Sequence, residues 1–595
     1  MSSDTYAAAG SERAGTLKRA EQRADQVASD FENLLAVFVG GRIASSAAEA
    51  AVVEGGEPQA AAPPDAVVPI VKALLSHVMQ HGGNYTLLDS GIMERRAACF
   101  HKRFPNVVTP QVMAAIMSMP QEVEAQCFSR LAPGKPYPLR SELVSYLTYP
   151  AKHLVTGKTG IMFPANDVEG EVDASNTFVG QFIDHDLTRG AVNLFEPIFR
   201  DADPDSLPDN LASPTLDLDS VYGGREDPAD RSKRIVVPID EASGKFELRP
   251  IEQGGQTIGY DVPRTCTGAA LIGDARNDEN QIVLQVHILL MRLHNAFADR
   301  TPEGERPFDW ARKRTIEHWQ AFVRHHYLPA VCRQDYIDQI LPKLRKTGAA
   351  GPIHQPEADG KLRMPHEFGI GFRFGHSQIR NRYRMNTNAD FPLFNSVSDG
   401  RDDLRGGKPL DADRVIDWSV FVTQKSMAID TKISEVAFDL PQSAEPDDVK
   451  LVGNLAFRNL QRSVDVDLCA GEDLWALYDA RYTGVTEYGP GEIEAERPEL
   501  FRFDQARFRT PLWYYLLREA ELAQIADEQA GCGGLRGRLG PLGSLLVGEV
   551  ILNAICYADV SIFGTALWEQ DDAGDYTFAK LVAIAEEKEV SSAPS

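Results

Sequence analysis

A short polar cluster interrupts an apolar run between Gln181 and Thr188 and carries groups that can do acid–base chemistry. The run reads Gln-Phe-Ile-Asp-His-Asp-Leu-Thr. Residues three or four apart lie on one face of a helix, so Asp184 and His185 lie beside Gln181. Asp186 is rotated by about 100° from His185 and must find its partner elsewhere. Burying such groups costs free energy unless each has a partner or a task, and a neutral imidazole can accept a proton and return it. His185 is therefore the candidate acid–base group.

Three further short segments combine charged, imidazole or amide side chains. They are Arg276-Asn-Asp-Glu279, Arg373-Phe-Gly-His376 and Asn459-Leu-Gln-Arg462. Taken alone, an arginine and a glutamate three residues apart most often form a surface ion pair of little energetic value. A lone histidine beside a glycine is usually structural. The significance of these segments therefore depends on their occurring together.

A loop between residues 213 and 223 alternates oxygen-bearing residues with others. The oxygen-bearing residues are Ser213, Thr215, Asp217 and Asp219. If the loop curls, successive oxygens can converge on one hard cation. Alone, such a loop is more often a solvated turn, so both interpretations stay open at this point.

Taken together and in their order along the chain, these segments resemble those of the animal-type haem peroxidases, the peroxidase–cyclooxygenase superfamily. The resemblance extends over roughly residues 90 to 570, and its haem-site motifs are those of a bacterial-type member resembling myeloperoxidase and lactoperoxidase. It implies a mainly α fold with few short strands, and haem b and Ca²⁺ as cofactors. It also implies an enzyme that reduces hydrogen peroxide through an oxyferryl intermediate and oxidises a halide, a pseudohalide or a small phenol.

On the distal side of the haem, the resemblance assigns roles to five residues. It implies His185 as the base and then acid toward peroxide, and Arg276 as the group that stabilises developing charge. Gln181 would order the distal water and, in halide-oxidising relatives, shape the halide site. Asp184 and Glu279 are implied as carboxylates that can become ester-linked to the haem.

On the proximal side, the resemblance implies His376 as the iron ligand, with Asn459 accepting a hydrogen bond from its other ring nitrogen. Asn459 and Arg462 match the family string Leu-Asn-x-Gln-Arg, and Arg373 and Arg462 are implied as partners of the haem propionates. The chain departs from myeloperoxidase at Asn280, where a methionine forms a sulfonium link that is impossible here.

The resemblance also implies that the 213–223 loop binds calcium together with the distal helix. The implied ligands are Asp186, Ser213, the Thr215 carbonyl, Asp217 and Asp219. The family usually has serine at the position of Asp219, so the site would be one charge more acidic here. A cation bridging Asp186 to this loop would clamp the helix beside His185.

Two alternatives stay open. A fatty-acid dioxygenase of the same superfamily needs a tyrosine three residues before the proximal histidine, and Arg373 occupies that position. A non-catalytic haem- and calcium-binding relative would be expected to have lost His185 or Arg276, and both are present. The sequence therefore favours a peroxidase, with catalase-like dismutation of peroxide as a side activity.

The composition limits the partners and the location of the protein. Its 595 residues include 61 Lys and Arg against 86 Asp and Glu, a formal net charge of −25, which argues against nucleic acid or an anionic membrane as the main partner. No apolar stretch reaches the roughly 20 residues needed to span a bilayer, and residues 1–32 lack the apolar region of a secretory signal. Seven scattered cysteines suit a reducing compartment. We expect a cytoplasmic protein, with export by a signal-independent route left open, and no motif indicates an oligomeric state.

The chain is predicted to consist of an N-terminal extension, residues 1–66, and one haem peroxidase domain, residues 67–595. The extension contains a predicted helix at about 12–38 and an Ala/Gly/Pro-rich linker at 44–66. In the domain, helical patterns occur at 276–300, 309–330, 414–423, 447–462 and 543–558, and strand patterns at 234–238 and 259–262. The predicted fold class is mainly α.

Overall fold

The computed structural model describes part of the chain. The described residues are 126–132, 144, 147–148, 162, 168–189, 209–210, 212–223, 237–240, 242–265, 268–347, 351–358, 360–395, 402–438, 440, 454–466, 468–487, 509–533, 536–569 and 576–586. All of them belong to the larger of two compact units into which the chain divides. The predicted N-terminal helix, the linker and the boundary at residue 66 lie outside the described residues.

The described part of the chain is mainly α-helical, which confirms the predicted fold class. The helices in chain order are α1 Ser175–Leu187, α2 Asp219–Tyr222, α3 Gln281–Ala298, α4 Pro307–Phe322, α5 Leu328–Val331, α6 Gln334–Thr347, α7 His366–Gly371, α8 Trp418–Phe421, α9 Glu435–Phe438, α10 Leu455–Asp465, α11 Gly471–Asp479, α12 Leu512–Gln529, α13 Pro541–Cys556, α14 Ala566–Glu569 and α15 Phe578–Ala585. Short 3₁₀ segments cover Ala275–Asp278, Phe372–His376 and Ala412–Arg414, and a π-helical turn covers Val323–Tyr327. No helix among the described residues is long and apolar enough to cross a membrane.

The strands are short and pair only as two-stranded antiparallel ribbons within the described ranges. They are β1 Gln126–Cys127, β2 Glu169–Asp173, β3 Asp209–Asn210, β4 Ile239–Asp240, β5 Lys245–Phe246, β6 Arg249–Gln253, β7 Gln256–Asp261, β8 Arg382–Asn386, β9 Ala389–Pro392 and β10 Lys425–Met427. The pairs are β1 with β3, β2 with β10, β4 with β5, β6 with β7 and β8 with β9. The β2–β10 ribbon leads directly into α1, so it fixes the start of the helix that carries His185.

Helix α3 forms the centre of the core and begins later than the sequence predicts. It is buried at every position except Arg292 and Asn295. The predicted helix at 276–300 is wrong at its start, because Asn280 is an N-cap whose side chain accepts hydrogen bonds from the main-chain nitrogens of Ile282 and Val283. Residues 275–279 therefore form a separate turn in front of the helix.

The other predicted elements agree with the structure to different degrees. The helices predicted at 309–330 and 543–558 are confirmed as the α4–α5 stretch and α13, and the strand at 259–262 falls largely in β7. The helix predicted at 414–423 shortens to α8, because the Asp417 side chain caps its start by accepting from the Ser419 nitrogen. The helix predicted at 447–462 is described only from residue 454, where α10 follows. The strand predicted at 234–238 lies partly outside the described residues, and β4 begins at Ile239.

A buried carboxylate joins two core helices. Helix α13 is buried from Pro541 to Ile555. Glu519 of α12 accepts hydrogen bonds from the main-chain nitrogens of Leu542 at 2.7 Å and Gly543 at 3.0 Å. The first N–H groups of a helix have no partner within the helix, so Glu519 satisfies two of them. Burial raises the pKa of Glu519 to about 8.

Replacing Glu519 by glutamine is expected to change how stability depends on pH. The pKa of Glu519 is raised on folding. The stabilisation that this carboxyl gives the folded state is therefore complete below pH 4.5 and is lost as the pH rises to about 8. The free energy of unfolding of the wild type should therefore fall, relative to Glu519→Gln, by on the order of a few kcal/mol across this range. Thermal unfolding at a series of pH values measures the difference. Glu528→Gln, at an exposed position of the same helix, is the control, and parallel curves for wild type and Glu519→Gln would contradict the assignment.

Candidate active site

The distal helix α1 and the turn before α3 are joined by an amide. Gln181 Nε2 donates to Glu279 Oε1 at 2.6 Å, and Asn280 Nδ2 donates to Gln181 Oε1 at 3.1 Å. Both ends of the Gln181 amide are therefore held by adjacent residues that lie about a hundred positions further along the chain. Burial raises the pKa of Glu279 to about 7. Asn280 has two tasks here, since it caps α3 and positions Gln181.

His185 is the first residue in a series of buried hydrogen bonds. Its Nδ1 donates to Asn277 Oδ1 at 2.8 Å, and Asn277 Nδ2 donates to His287 Nδ1 at 3.0 Å. An oxygen acceptor keeps the proton on Nδ1, which leaves Nε2 of His185 as the basic atom. Burial, with a contribution from Arg276, lowers the pKa of His185 to about 4, so the ring is neutral at physiological pH. The sequence analysis did not single out Asn277, although a polar residue between Arg276 and Glu279 was a signal for it.

Arg276 is fixed beside the same histidine. Its guanidinium forms an ion pair with Asp274 at 2.8 Å, and its Nη2 donates to the main-chain oxygen of His185 at 2.8 Å. The Asp274 carboxylate is buried and is held below its usual pKa chiefly by Arg276 against the effect of burial. The positive charge of Arg276 is therefore placed at the helix turn that carries His185.

The proximal segment provides the second half of the site. His376 Nδ1 lies 2.8 Å from Asn459 Nδ2, and Asn459 Oδ1 lies 3.5 Å from Nη1 of Arg373. The predicted partner of His376 is thus in contact with it, but through the amide nitrogen and not through the oxygen that the sequence analysis assigned. A half-turn of the amide exchanges the two atoms and gives up only the long contact to Arg373.

The two halves of the site are in contact, and several of their side chains are only partly buried. Helix α1 packs against the segment Phe372–His376. Burial, and to a smaller extent Arg276, lowers the pKa of Arg373, and the Asp184 carboxylate opposes this shift. Side chains on both sides keep part of their surface uncovered within this packed region, namely Gln181, Asp184, Arg276, Glu279, Arg373 and His376. A Cβ at Gly375 would meet no described atom within 4 Å. From these partly exposed side chains on adjoining elements, we infer a hollow that the predicted distal and proximal residues border.

Asp184 and Arg462 complete the set of predicted haem-binding residues. Asp184 Oδ1 accepts from Thr188 Oγ1 at 2.9 Å, which fixes the carboxylate along its own helix. Arg462 is half-buried on α10, one helical turn after Arg458. Both lie on the elements that border the hollow.

Arg458 lies at this site and was missed by the sequence analysis. It is only 7% exposed, and its Nη1 and Nη2 atoms are buried without a hydrogen-bond partner among the described residues. Burial raises the pKa of Glu279 and lowers that of His376, and the positive charge of Arg458 acts to lower both. The available signal was the departure from the string Leu-Asn-x-Gln-Arg, because Arg458 stands at the leucine position.

The predicted calcium ligand Asp186 is hydrogen-bonded to main-chain nitrogens of the 213–223 loop. Its carboxylate accepts hydrogen bonds from the nitrogens of Leu218 and Ser220, each at 3.0 Å. Leu218 adopts a left-handed conformation with φ of 62°, which is uncommon for a residue with a Cβ. Burial, together with Asp217, raises the pKa of Asp186 to about 8. The loop and the distal helix are therefore connected through Asp186.

The four loop residues predicted as ligands lie close together and are buried. The Ser213 nitrogen donates to Asp219 Oδ2 at 3.0 Å, and Thr215 Oγ1 donates to Asp217 Oδ2 at 2.8 Å. Carboxylates and hydroxyls are the donors that a hard cation binds. However, no group of three His, Cys, Asp or Glu side chains in the described ranges is arranged to hold a metal ion. The calcium site stays a prediction.

Comparison with known proteins finds similarity to one family in the middle of the chain. Residues 203–401 match the animal haem peroxidase family. Heme peroxidase 2 of Caenorhabditis elegans is 28% identical over 177 residues, which cover 28% of this chain and 23% of that protein. Human myeloperoxidase is 27% identical over 213 residues, which cover 31% of this chain and 26% of that protein. The matched part of this chain thus spans about a quarter of the length of either relative.

A solved structure shares the fold. Peroxidase A from Dictyostelium discoideum aligns with a TM-score of 0.50 at 15% sequence identity, covering 77% of this chain and 92% of that one. The family match includes Arg276, Glu279, His376 and the 213–223 loop. Residues 203–401, about a third of the chain, are therefore similar to the animal haem peroxidase family.

Proposed function

We propose that this protein is a haem-dependent peroxidase that reduces hydrogen peroxide and oxidises a halide, a pseudohalide or a small phenolic donor. The observation that carries the proposal is the neutral, buried imidazole of His185, whose Nδ1 is bonded to Asn277 and whose Nε2 is left basic. Arg276 lies beside it and the predicted iron ligand His376 borders the same hollow. Similarity to the animal haem peroxidase family implies haem binding; the reaction and the donor are part of the proposal.

The residues of the hollow fit a haem. His376 would hold the iron, and the arginines on the proximal side would hold the propionates, since the buried Nη atoms of Arg458 have no partner in the described part of the chain. When bound, haem supplies the redox chemistry, and the protein orients the peroxide and tunes the cofactor. This division of tasks leaves proton transfer and charge stabilisation to the distal side chains.

Proton transfer belongs to His185. Cleavage of hydrogen peroxide into water requires that a proton leave one of its oxygens and that a proton be added to the other. Nε2 of His185 can take the first proton and deliver it to the second oxygen, as a general base and then a general acid. Arg276 stabilises the negative charge that develops as the oxygen–oxygen bond breaks. Gln181, held at both ends by Glu279 and Asn280, positions water and small anions next to these groups.

The ester links and the calcium ion are further parts of the proposal. Asp184 and Glu279 both border the hollow, and each carboxylate accepts a hydrogen bond that fixes it. These contacts support haem esters at both positions, formed during peroxide turnover. The buried carboxylates and hydroxyls of the 213–223 loop support a calcium ion by their chemistry alone.

Asn277 is expected to control the rate of the peroxide step through His185. Asn277→Ala removes the acceptor that keeps the proton on Nδ1, so the reaction should slow by about tenfold to a hundredfold. Asn277→Asp retains an oxygen acceptor and should restore most of the rate. The second-order rate constant for reaction with peroxide is the measurement, and an unchanged constant in Asn277→Ala would exclude this role.

A stopped-flow absorption spectrum of the haem-loaded protein mixed with equimolar hydrogen peroxide tests the proposed function. We expect a rapid loss of Soret intensity, followed by recovery when bromide, iodide or a phenol is added. Oxygen uptake with a fatty acid, in place of a response to peroxide, would instead indicate the dioxygenase. An unchanged ferric spectrum in both experiments would indicate the non-catalytic haem-binding relative.

A further inference from the structure

We infer that Arg458 binds a carboxylate of the cofactor, as a third guanidinium for the haem propionates beside Arg373 and Arg462. The inference rests on the proposed function, because it requires that haem occupies the hollow. The resemblance at the level of sequence does not assign this residue, since the family string has leucine there.

The first observation is an unsatisfied buried charge. Arg458 is 7% exposed, and its two terminal nitrogens are buried without a partner among the described residues. A buried guanidinium without a partner is strongly unfavourable, because its desolvation is not repaid by hydrogen bonds or by an opposite charge. Arginine presents two parallel N–H groups that match a carboxylate. The side chain therefore requires an anion of this shape.

The second observation is that the carboxylates of the site are already hydrogen-bonded to other groups. Glu279 accepts from Gln181, and Asp184 accepts from Thr188. The charge of Glu279 stabilises Arg458 at a distance, but no hydrogen bond joins the two. The missing anion must therefore come from a bound group.

The third observation is an excess of positive charge around Arg458. The positive charges of Arg373 and Arg462 disfavour the charged form of Arg458, and the negative charge of Glu279 favours it. Together with burial, these arginines lower the pKa of Arg458 to about 10, so it remains a cation at neutral pH. The charges that act on Arg458 are thus two arginines and one glutamate, an environment that suits a further anion such as a propionate of haem b.

The position of Arg458 on α10 places it on the proximal side. It precedes Asn459, which contacts His376, and it lies one turn before Arg462, so the two arginines share a helix face. A residue bound to a propionate here would fix the rotation of the haem about the iron–histidine bond. Arg458 is thus a cofactor-binding residue and has no part in the proton steps.

The test uses the haem-loaded full chain, expressed without exposure to peroxide so that no ester holds the cofactor. Wild type, Arg458→Leu, Arg458→Lys and Arg292→Leu are compared. Arg292 is a half-buried arginine that pairs with Glu586, so its replacement removes one positive charge elsewhere on the protein. The first readout is the rate of haem transfer to excess apomyoglobin. The second is the propionate-bending band in the resonance Raman spectrum.

We expect Arg458→Leu to release haem about 10- to 100-fold faster than wild type and to shift the propionate band, as loss of a charge-assisted hydrogen bond predicts. Arg458→Lys should release haem at an intermediate rate, and Arg292→Leu should behave like wild type. If Arg458→Leu does not fold, Arg458→Lys and Arg458→Gln give the same comparison.

Two results would overturn the inference. One is an unchanged release rate and band in Arg458→Leu. The other is faster release with an unchanged propionate band, which would mean that Arg458 acts through the protein and not on the cofactor. A wild-type protein that binds no haem would overturn the proposed function itself, so the two failures are distinguishable.

Discussion

Replacing His185 by glutamine is expected to slow the reaction with hydrogen peroxide by about 10²–10⁴-fold while haem stays bound. Glutamine has a similar reach and can still donate to Asn277, but it cannot accept and return a proton. The hydrogen bond at 2.8 Å to Asn277 Oδ1 shows that the wild-type ring is already held in the tautomer with a basic Nε2. The rate constant for peroxide, measured by stopped flow, therefore reports the loss of the proton step.

The control for this substitution is another histidine in a packed region. His326, in the π-helical turn, stacks on Phe322 and has no role in the proposed mechanism. His326→Gln should retain the wild-type rate constant. A His185→Gln protein that reacts with peroxide as fast as wild type would show that another group moves the proton, and the peroxidase mechanism would have to be reassigned.

The second large effect is expected at His376. His376→Gly removes the predicted iron ligand and leaves Asn459 without its contact. Haem affinity should therefore fall by more than about 100-fold, which exceeds the loss expected when only a hydrogen-bond partner of a ligand is removed. Because a Cβ at Gly375 would meet no described atom within 4 Å, there is room beside this position for an added ligand. Millimolar imidazole should therefore restore haem binding and the wild-type haem spectrum.

His366→Gln provides the matched comparison for this experiment. His366 is buried ten residues earlier and stacks on Phe128 at 4.5 Å between ring centroids. We expect it to keep the wild-type haem spectrum. If His376→Gly binds haem as wild type does, and imidazole changes nothing, the proximal ligand is a different residue.

The sequence predicted the residues of the site better than their partners. The spacing of Gln181, Asp184 and His185 indicates one helix face, and all three lie on α1. The partner of Gln181, however, is Glu279, which is 98 residues away. No local period carries such information, because it depends on how α1 packs against the turn before α3. Asn277 was missed for the same reason.

Element boundaries show a different limitation. The apolar pattern of residues 276–300 runs through Asn280, whose side chain caps the start of the helix by accepting hydrogen bonds from two main-chain nitrogens. Helix α12, Leu512–Gln529, was not predicted, because its first half is buried on all sides and lacks the alternation of apolar and polar faces. Such a run of aromatic and aliphatic residues does not distinguish a buried helix from a buried strand.

The contacts that build the hollow also determine the order in which it can be assembled during synthesis. Gln181 and Glu279 are 98 residues apart, and His376 and Asn459 are 83 residues apart. Closing such long loops costs chain entropy before any contact offsets it, which makes their formation slow. A nascent chain that ends before Leu455 would carry His185 and His376 but none of the α10 residues of the proximal side, Arg458, Asn459 and Arg462. The proximal side of the site can therefore be completed only after α10, Leu455–Asp465, has been synthesised.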